Sequence, residues 1–118
     1  MTFEEFKKYI IDFRNARNWK QFHDPKNLSA ALAIEAAELQ ELFLWKKNDE
    51  INEMLKNENG REKIAHEISD IFVYLLLMCD ACEMDILTEA EKKMEHNAGK
   101  YPVEKSYNSS KKYTELDN

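Results

Sequence analysis

The sequence predicts an all-α fold, and three observations predict it. Gly and Pro occur only twice each in 118 residues, which leaves little of the turn chemistry that an all-β chain needs. Long stretches place apolar residues at helical spacing, while runs of β-branched residues are few. The composition, 43% hydrophobic and 34% charged, belongs to a globular chain rather than a disordered one. The length suits one domain with a core of its own.

The elements follow in order. Thr2 and Glu5 stand at the spacing of a capping box. They open a helix expected to run to about Trp19, with Phe3, Phe6, Tyr9, Ile10 and Phe13 on its buried side. Lys20 to Lys26 breaks the pattern, because Pro25 disfavours helix at Asp24. Asn27 is the expected N-cap of a second helix from Leu28 to about Lys46. The polar segment from Lys47 to Gly60 has room for a short helix around Glu50 to Leu55, and Asn59-Gly60 reads as a turn. A long helix is expected from about Arg61 to Cys82. After the joint Glu83-Met84-Asp85, Asp85 caps a last helix from Ile86 to Ala98, with Gly99 as its C′ residue and Pro102 just beyond. The expected organisation is one helical domain over residues 1–102, followed by a polar tail, 103–118, lying over the surface or on a neighbouring subunit.

The second and fourth of these helices are apolar on most of their circumference. A helix of that kind must be covered nearly all round, and a second copy of the chain is the simplest cover. A homo-oligomer, a dimer or a dimer of dimers, is therefore expected. The net charge of −6, with no basic stripe to offset it, argues against nucleic acid as a partner. The apolar run ending at Cys79 is too short to span a bilayer. The acidic start, Met1 to Glu5, has no signal-peptide character, so the expected location is the cytoplasm. Cys79 and Cys82 read as reduced, mostly buried thiols. A redox pair belongs at a helix N-terminus, and these two lie near the other end.

Charge interrupts the two apolar helices in a repeated way. Glu35 and Glu38 stand at i, i+3 and project from one face, and so do Glu67 and Asp70. An apolar helix gains nothing by burying like charges, so something must compensate them. A divalent cation does so most simply. Mg²⁺ takes oxygen ligands and commonly keeps sites open for water and substrate phosphates. Four carboxylates from two rigid helices suit one or two such ions and the cleavage of a phosphoanhydride. A di-iron bundle needs Glu-x-x-His motifs, which are lacking here. A non-enzymatic helical oligomerisation or partner-binding module with solvated acidic faces is the competing reading.

Aromatic residues flank these pairs. Trp19, Phe22 and His23 precede the first acidic helix, Trp45 ends it, and Tyr74 lies one turn after Asp70. They suit either the sandwiching of a nucleobase or packing at the bundle ends. Lys93, Asn97 and Lys100 recur on one face of the last helix, where they suit phosphate oxygens or the helix dipole equally.

A resemblance sharpens this picture. Arg17-Asn18-Trp19-Lys20-Gln21-Phe22-His23, Pro25-x-Asn27-Leu28, Glu35-x-x-Glu38-Leu39-x-Glu41-Leu42-Phe43-x-Trp45 and Glu67-x-Ser69-Asp70 with Tyr74 occur in that order. Lys93-Met94, Tyr101-Pro102 and Lys112-Tyr113-Thr114-Glu115-Leu116 follow. The set resembles the MazG-like nucleoside triphosphate pyrophosphohydrolases, most closely their dCTP pyrophosphatase branch. The resemblance implies a four- to five-helix bundle assembled as a tetramer built from dimers. It also implies Mg²⁺-dependent hydrolysis of dCTP or a modified dCTP between the α and β phosphates, giving the monophosphate and pyrophosphate. Glu35, Glu38, Glu67 and Asp70 match the family's metal ligands. Trp19, Lys20, Gln21, Phe22, His23, Trp45 and Tyr74 match its nucleotide-binding positions. Glu38 or Glu41 is the expected acceptor of the water's proton. One position departs: the animal members carry a histidine where this chain has Ile10.

Overall fold

The computed structural model of the chain describes residues 1–116, and among these there are helices and turns but no strand. They fall into two compact units, divided between Glu83 and Met84. The first holds α1 (Phe3–Ala16), α2 (Pro25–Glu41), α3 (Asn48–Lys56) and α4 (Glu58–Ala81). α4 is the central rod: α2 packs along it most extensively, and α3 and α1 also lie against it.

Local chemistry sets the ends of these helices. The capping box forms, with Glu5 N–H donating to Thr2 Oγ1 (3.1 Å) and Thr2 N–H donating to the Glu5 carboxylate (2.8 Å). α1 stops at Ala16 rather than Trp19, because Asn18 turns into the left-handed region (φ 54°), which Asn tolerates better than most residues. Trp19 is thereby released from the helix. The expected N-cap of α2 at Asn27 is replaced by Asp24, whose side chain accepts from Asn27 N–H (2.7 Å) while Pro25 takes the first helical position. Proline fits there because its missing N–H would have had no partner. α2 ends at Glu41, short of Lys46. Tighter turns follow, and Trp45 adopts φ 65°.

Asn59-Gly60 is not a turn but lies in the first turn of α4, where Asn57 is the N-cap and accepts from Gly60 N–H (3.2 Å). Gly60 is needed for close approach: a Cβ there would overlap the Met54 carbonyl oxygen and come within 2.9 Å of Met54 Cγ.

Ile10, Leu28, Ile64, Leu76 and Leu77 form the buried core, and Leu28 is only 1% exposed. The packed stripe of α1 runs through Phe3, Phe6, Ile10 and Arg14. Phe3 and Phe6 both meet Phe72 of α4, at 6.2 and 5.9 Å between ring centroids. Tyr9 and Phe13, expected on the buried side, flank that stripe and are exposed. Ile34, Ile68 and Phe72, on the two apolar helices, are also exposed. Cys79 and Cys82 carry thiols, both half-buried.

The second unit begins with α5 (Ile86–Lys100), capped by Asp85, which accepts from Thr88 N–H (3.1 Å) and Thr88 Oγ1 (2.8 Å). α5 runs through Gly99, which was expected to end it. Tyr101 is the C-cap, held by its N–H to the Asn97 carbonyl (2.9 Å). The tail is partly ordered as α6 (Val103–Ser106) and a 3₁₀ turn over Tyr113–Glu115. Tyr113 meets Tyr101 edge-on (6.1 Å) and lies 4.5 Å from Lys100 Nζ. The end of the expected tail, Asp117 and Asn118, lies outside the described residues. Among the described residues no helix is long and apolar enough to cross a membrane.

Candidate active site

The packing of α2 on α4 brings together what the sequence separates. Carboxylate oxygens of Glu35 and Glu38 on α2 and Glu67 on α4 lie within 4.8 Å of one another. The i, i+3 spacing aims Glu35 and Glu38 from one face of α2, and the same spacing on α4 sets Asp70 beside Glu67. Asp70 is near enough that its charge acts on both Glu35 and Glu67. Glu41 is exposed on the last turn of α2, outside the group of three.

The electrostatics of this cluster are unfavourable as they stand. Glu35 Oε2 and Glu67 Oε2 are buried, and with the carboxylates ionised neither has a hydrogen-bond partner. Glu35 is pushed up to about 7, first by burial, then by a proton shared with Glu38 and by the charges of Glu38 and Asp70. Glu67 is also raised, by burial first and then by Glu38. Like-charged carboxylates crowded in this way bind either protons or a cation. The donor set is all oxygen and contains no sulfur or imidazole, so it fits a hard divalent ion such as Mg²⁺. Glu35, Glu38 and Glu67 would hold it, with Asp70 alongside.

Asp70 also faces a cavity of about 180 Å³ within the first unit. Trp19, His23 and Tyr74 line it together with Asp70, so four of the residues singled out in the sequence meet here. Ile10, Val73 and Leu77 give it apolar walls. Phe13 closes one side. Its ring packs against Trp19 (5.9 Å, edge-on) and carries the Arg17 guanidinium at 3.6 Å. His23 sits 6.4 Å from Trp19, ring to ring, and its Nδ1 is buried without a partner. Burial, and then the charge of Arg14, hold the His23 pKa below its ordinary value, so this imidazole is neutral at physiological pH. An apolar, aromatic slot with a few polar groups, one of them the Asp70 whose charge reaches Glu35 and Glu67, suits a flat heterocycle joined to phosphates.

Other expected residues lie elsewhere. Lys20 borders a separate open depression with Asp24 and Asp80. Gln21 donates from Nε2 to the Asn18 carbonyl (3.0 Å), bracing the loop. Phe22 is exposed, and Trp45 is 93% exposed. Lys93, Asn97 and Lys100 belong to α5 of the second unit, with Lys93 exposed and the other two half-buried.

Sequence reasoning missed Arg14. It is 4% exposed, lines the cavity, and pairs with Asp80 of α4 through Nη1 (2.6 Å). The signal was present, since a charge at i+4 from Ile10 falls on the apolar stripe of α1.

The MazG-like family model matches residues 30–116. The likeness to named proteins is extensive. The bovine (Bos taurus) dCTP pyrophosphatase 1 is 37% identical over 115 residues, covering 98% of this chain and 68% of the relative. The human (Homo sapiens) dCTP pyrophosphatase 1 is 36% identical over the same length and coverage. Among solved structures, a pyrophosphatase from Archaeoglobus fulgidus DSM 4304 superposes with a TM-score of 0.76 at 40% identity, covering 84% of this chain and 91% of that one. By this coverage and identity, the chain belongs to the MazG-like family.

Proposed function

We propose that this chain is a Mg²⁺-dependent nucleoside triphosphate pyrophosphohydrolase that converts dCTP, or a modified dCTP, to the monophosphate and pyrophosphate. Its class, a nucleoside triphosphate pyrophosphatase, follows from relatives of that activity aligned over nearly its full length. The observation that carries the metal dependence is the convergence of Glu35, Glu38 and Glu67 within 4.8 Å, with buried oxygens that lack partners.

When bound, the divalent ion supplies charge neutralisation for the phosphates and lowers the pKa of a coordinated water. Glu35, Glu38 and Glu67 would hold the ion from two rigid helices, and Asp70 adds negative charge beside them. Glu38 is exposed, so it is placed to accept a proton from the attacking water, with Glu41 one turn further along α2 as the other candidate. The cavity of Trp19, His23 and Tyr74 grips the base and sets the α-phosphate toward the acidic cluster. Lys93, Asn97 and Lys100 of α5 are the donors proposed for phosphate oxygens across a subunit boundary. Exposed Ile34, Ile68 and Phe72 support assembly as a dimer or dimer of dimers, which covers them.

The test is pyrophosphate release from a panel of ribo- and deoxynucleoside triphosphates, with Mg²⁺ and with EDTA. Release of pyrophosphate and monophosphate only with Mg²⁺, and its loss in Glu38→Gln, is expected. Turnover that survives EDTA or Glu38→Gln would remove the acidic cluster from the reaction.

A further inference from the structure

We propose that Arg14, anchored by Asp80, determines base selectivity by donating to the pairing edge of the base in the aromatic cavity. This rests on the cavity being the base site of the pyrophosphohydrolase proposed above. Among the described residues Arg14 is a buried charge in a wall that is otherwise apolar or aromatic on its helix: Ile10 and Phe13 are the other α1 residues lining the cavity. α1 therefore offers the base one polar group.

The guanidinium is held in place from behind. Nε donates to Asn15 Oδ1 (3.1 Å) and Nη1 to Asp80 Oδ2 (2.6 Å). A guanidinium carries five N–H donors in a rigid plane, so these two bonds orient it and leave donors over. Arg14 stands between the cavity and the polar depression that holds Asp80, and it lines both.

The chemistry of the edge then selects the base. Cytosine presents N3 and O2 as adjacent acceptors and its 4-amino group as a donor. Uracil and thymine place an N3–H donor where cytosine has its acceptor. A fork of N–H donors meets the first pattern and opposes the second. His23 complements it: a neutral imidazole has one ring nitrogen free to accept, and its buried Nδ1 lacks a partner. A site built to bond one edge rejects an analogue that leaves its buried donors unpaired by large factors.

The experiment compares kcat/KM for dCTP and dUTP in the unaltered chain, Arg14→Met and Arg14→Lys. Methionine fills the volume without donors. Lysine keeps the charge beside Asp80 but loses the planar fork. The expected result is a fall of tenfold or more in the dCTP:dUTP ratio for Arg14→Met, and a several-fold fall for Arg14→Lys with its melting temperature retained. Thermal stabilisation by Mg²⁺ should persist in both. A ratio unchanged within twofold while both substrates lose together would overturn the proposal and leave Arg14 a clamp. If Arg14→Met does not fold, Arg14→Lys decides the matter by the same ratio. If the unaltered chain hydrolyses no triphosphate, the enzymatic reading fails separately. Calorimetric binding of dCMP against dUMP to the unaltered chain and Arg14→Lys then tests Arg14: loss of a dCMP preference supports the proposal, and equal binding of both by the unaltered chain overturns it.

Discussion

Replacing Glu35 by Gln should make the metal-free protein more stable. Glu35 is pushed up to about 7 from an ordinary 4.5, by burial and by its carboxylate neighbours. The folded pKa lies above the unfolded one, so the native state holds the extra proton between those values. Its contribution to stability is complete below about pH 4.5 and is lost as pH rises through 7. At full strength a shift of this size corresponds to ~3 kcal/mol. Solvent at the open side of the cluster reduces that to about 1 kcal/mol, or roughly 3–5 °C in melting temperature for a chain of this length. The assay is thermal unfolding in EDTA at pH 8 and pH 4.5, for the unaltered chain and Glu35→Gln. The variant should melt higher at pH 8 and no higher at pH 4.5. With excess Mg²⁺ at pH 8 the order should reverse, because only the intact cluster gains the mass-action term. A variant that melts lower than the unaltered chain at pH 8 in EDTA would refute the picture of mutually repelling carboxylates.

Other outcomes follow from the same structure. Leu28→Ala, at the most buried core position, should cost about 2–5 kcal/mol, read from urea or thermal unfolding. The two glycines should differ in sign. Gly60→Ala meets the Met54 backbone and Cγ and should destabilise by about 1–3 kcal/mol. Gly99→Ala, within α5 and with nothing near its added Cβ, should stabilise by about 0.5–1 kcal/mol, and paired melts check both. Trp19→Ala should raise KM for the nucleotide at least tenfold while leaving Mg²⁺ binding by calorimetry unchanged, since Trp19 lines the cavity and not the acidic cluster.

Much of this was legible in the sequence, for identifiable reasons. Glu35-x-x-Glu38 and Glu67-x-x-Asp70 carry their geometry in their spacing, because a helix fixes which residues share a face. Thr2 with Glu5, and Asp85, carry their caps in the same way. Helix ends were less legible where a backbone choice decided them: Asn18 turns the chain away from α1 through positive φ, α2 gives way to tighter turns well before Trp45, and Pro25 opens a helix instead of delaying it. Gly60 looked like punctuation, yet its role is set by Met54, a contact between α3 and α4 that no local pattern announces. Arg14 was missed because its meaning depends on Asp80, 66 residues away. A charge on an apolar stripe reads as noise until its partner is known.

Direct detection of a bound ion tests the role of the cluster most closely. Mn²⁺, whose paramagnetic signal falls on binding, can be titrated into the unaltered chain and into a Glu35→Gln, Glu67→Gln double variant, with Mg²⁺ added as competitor. The unaltered chain should bind Mn²⁺ stoichiometrically and release it to Mg²⁺, and the double variant should lose affinity by a hundredfold or more. Equal binding by both proteins would contradict a metal centre at Glu35, Glu38 and Glu67.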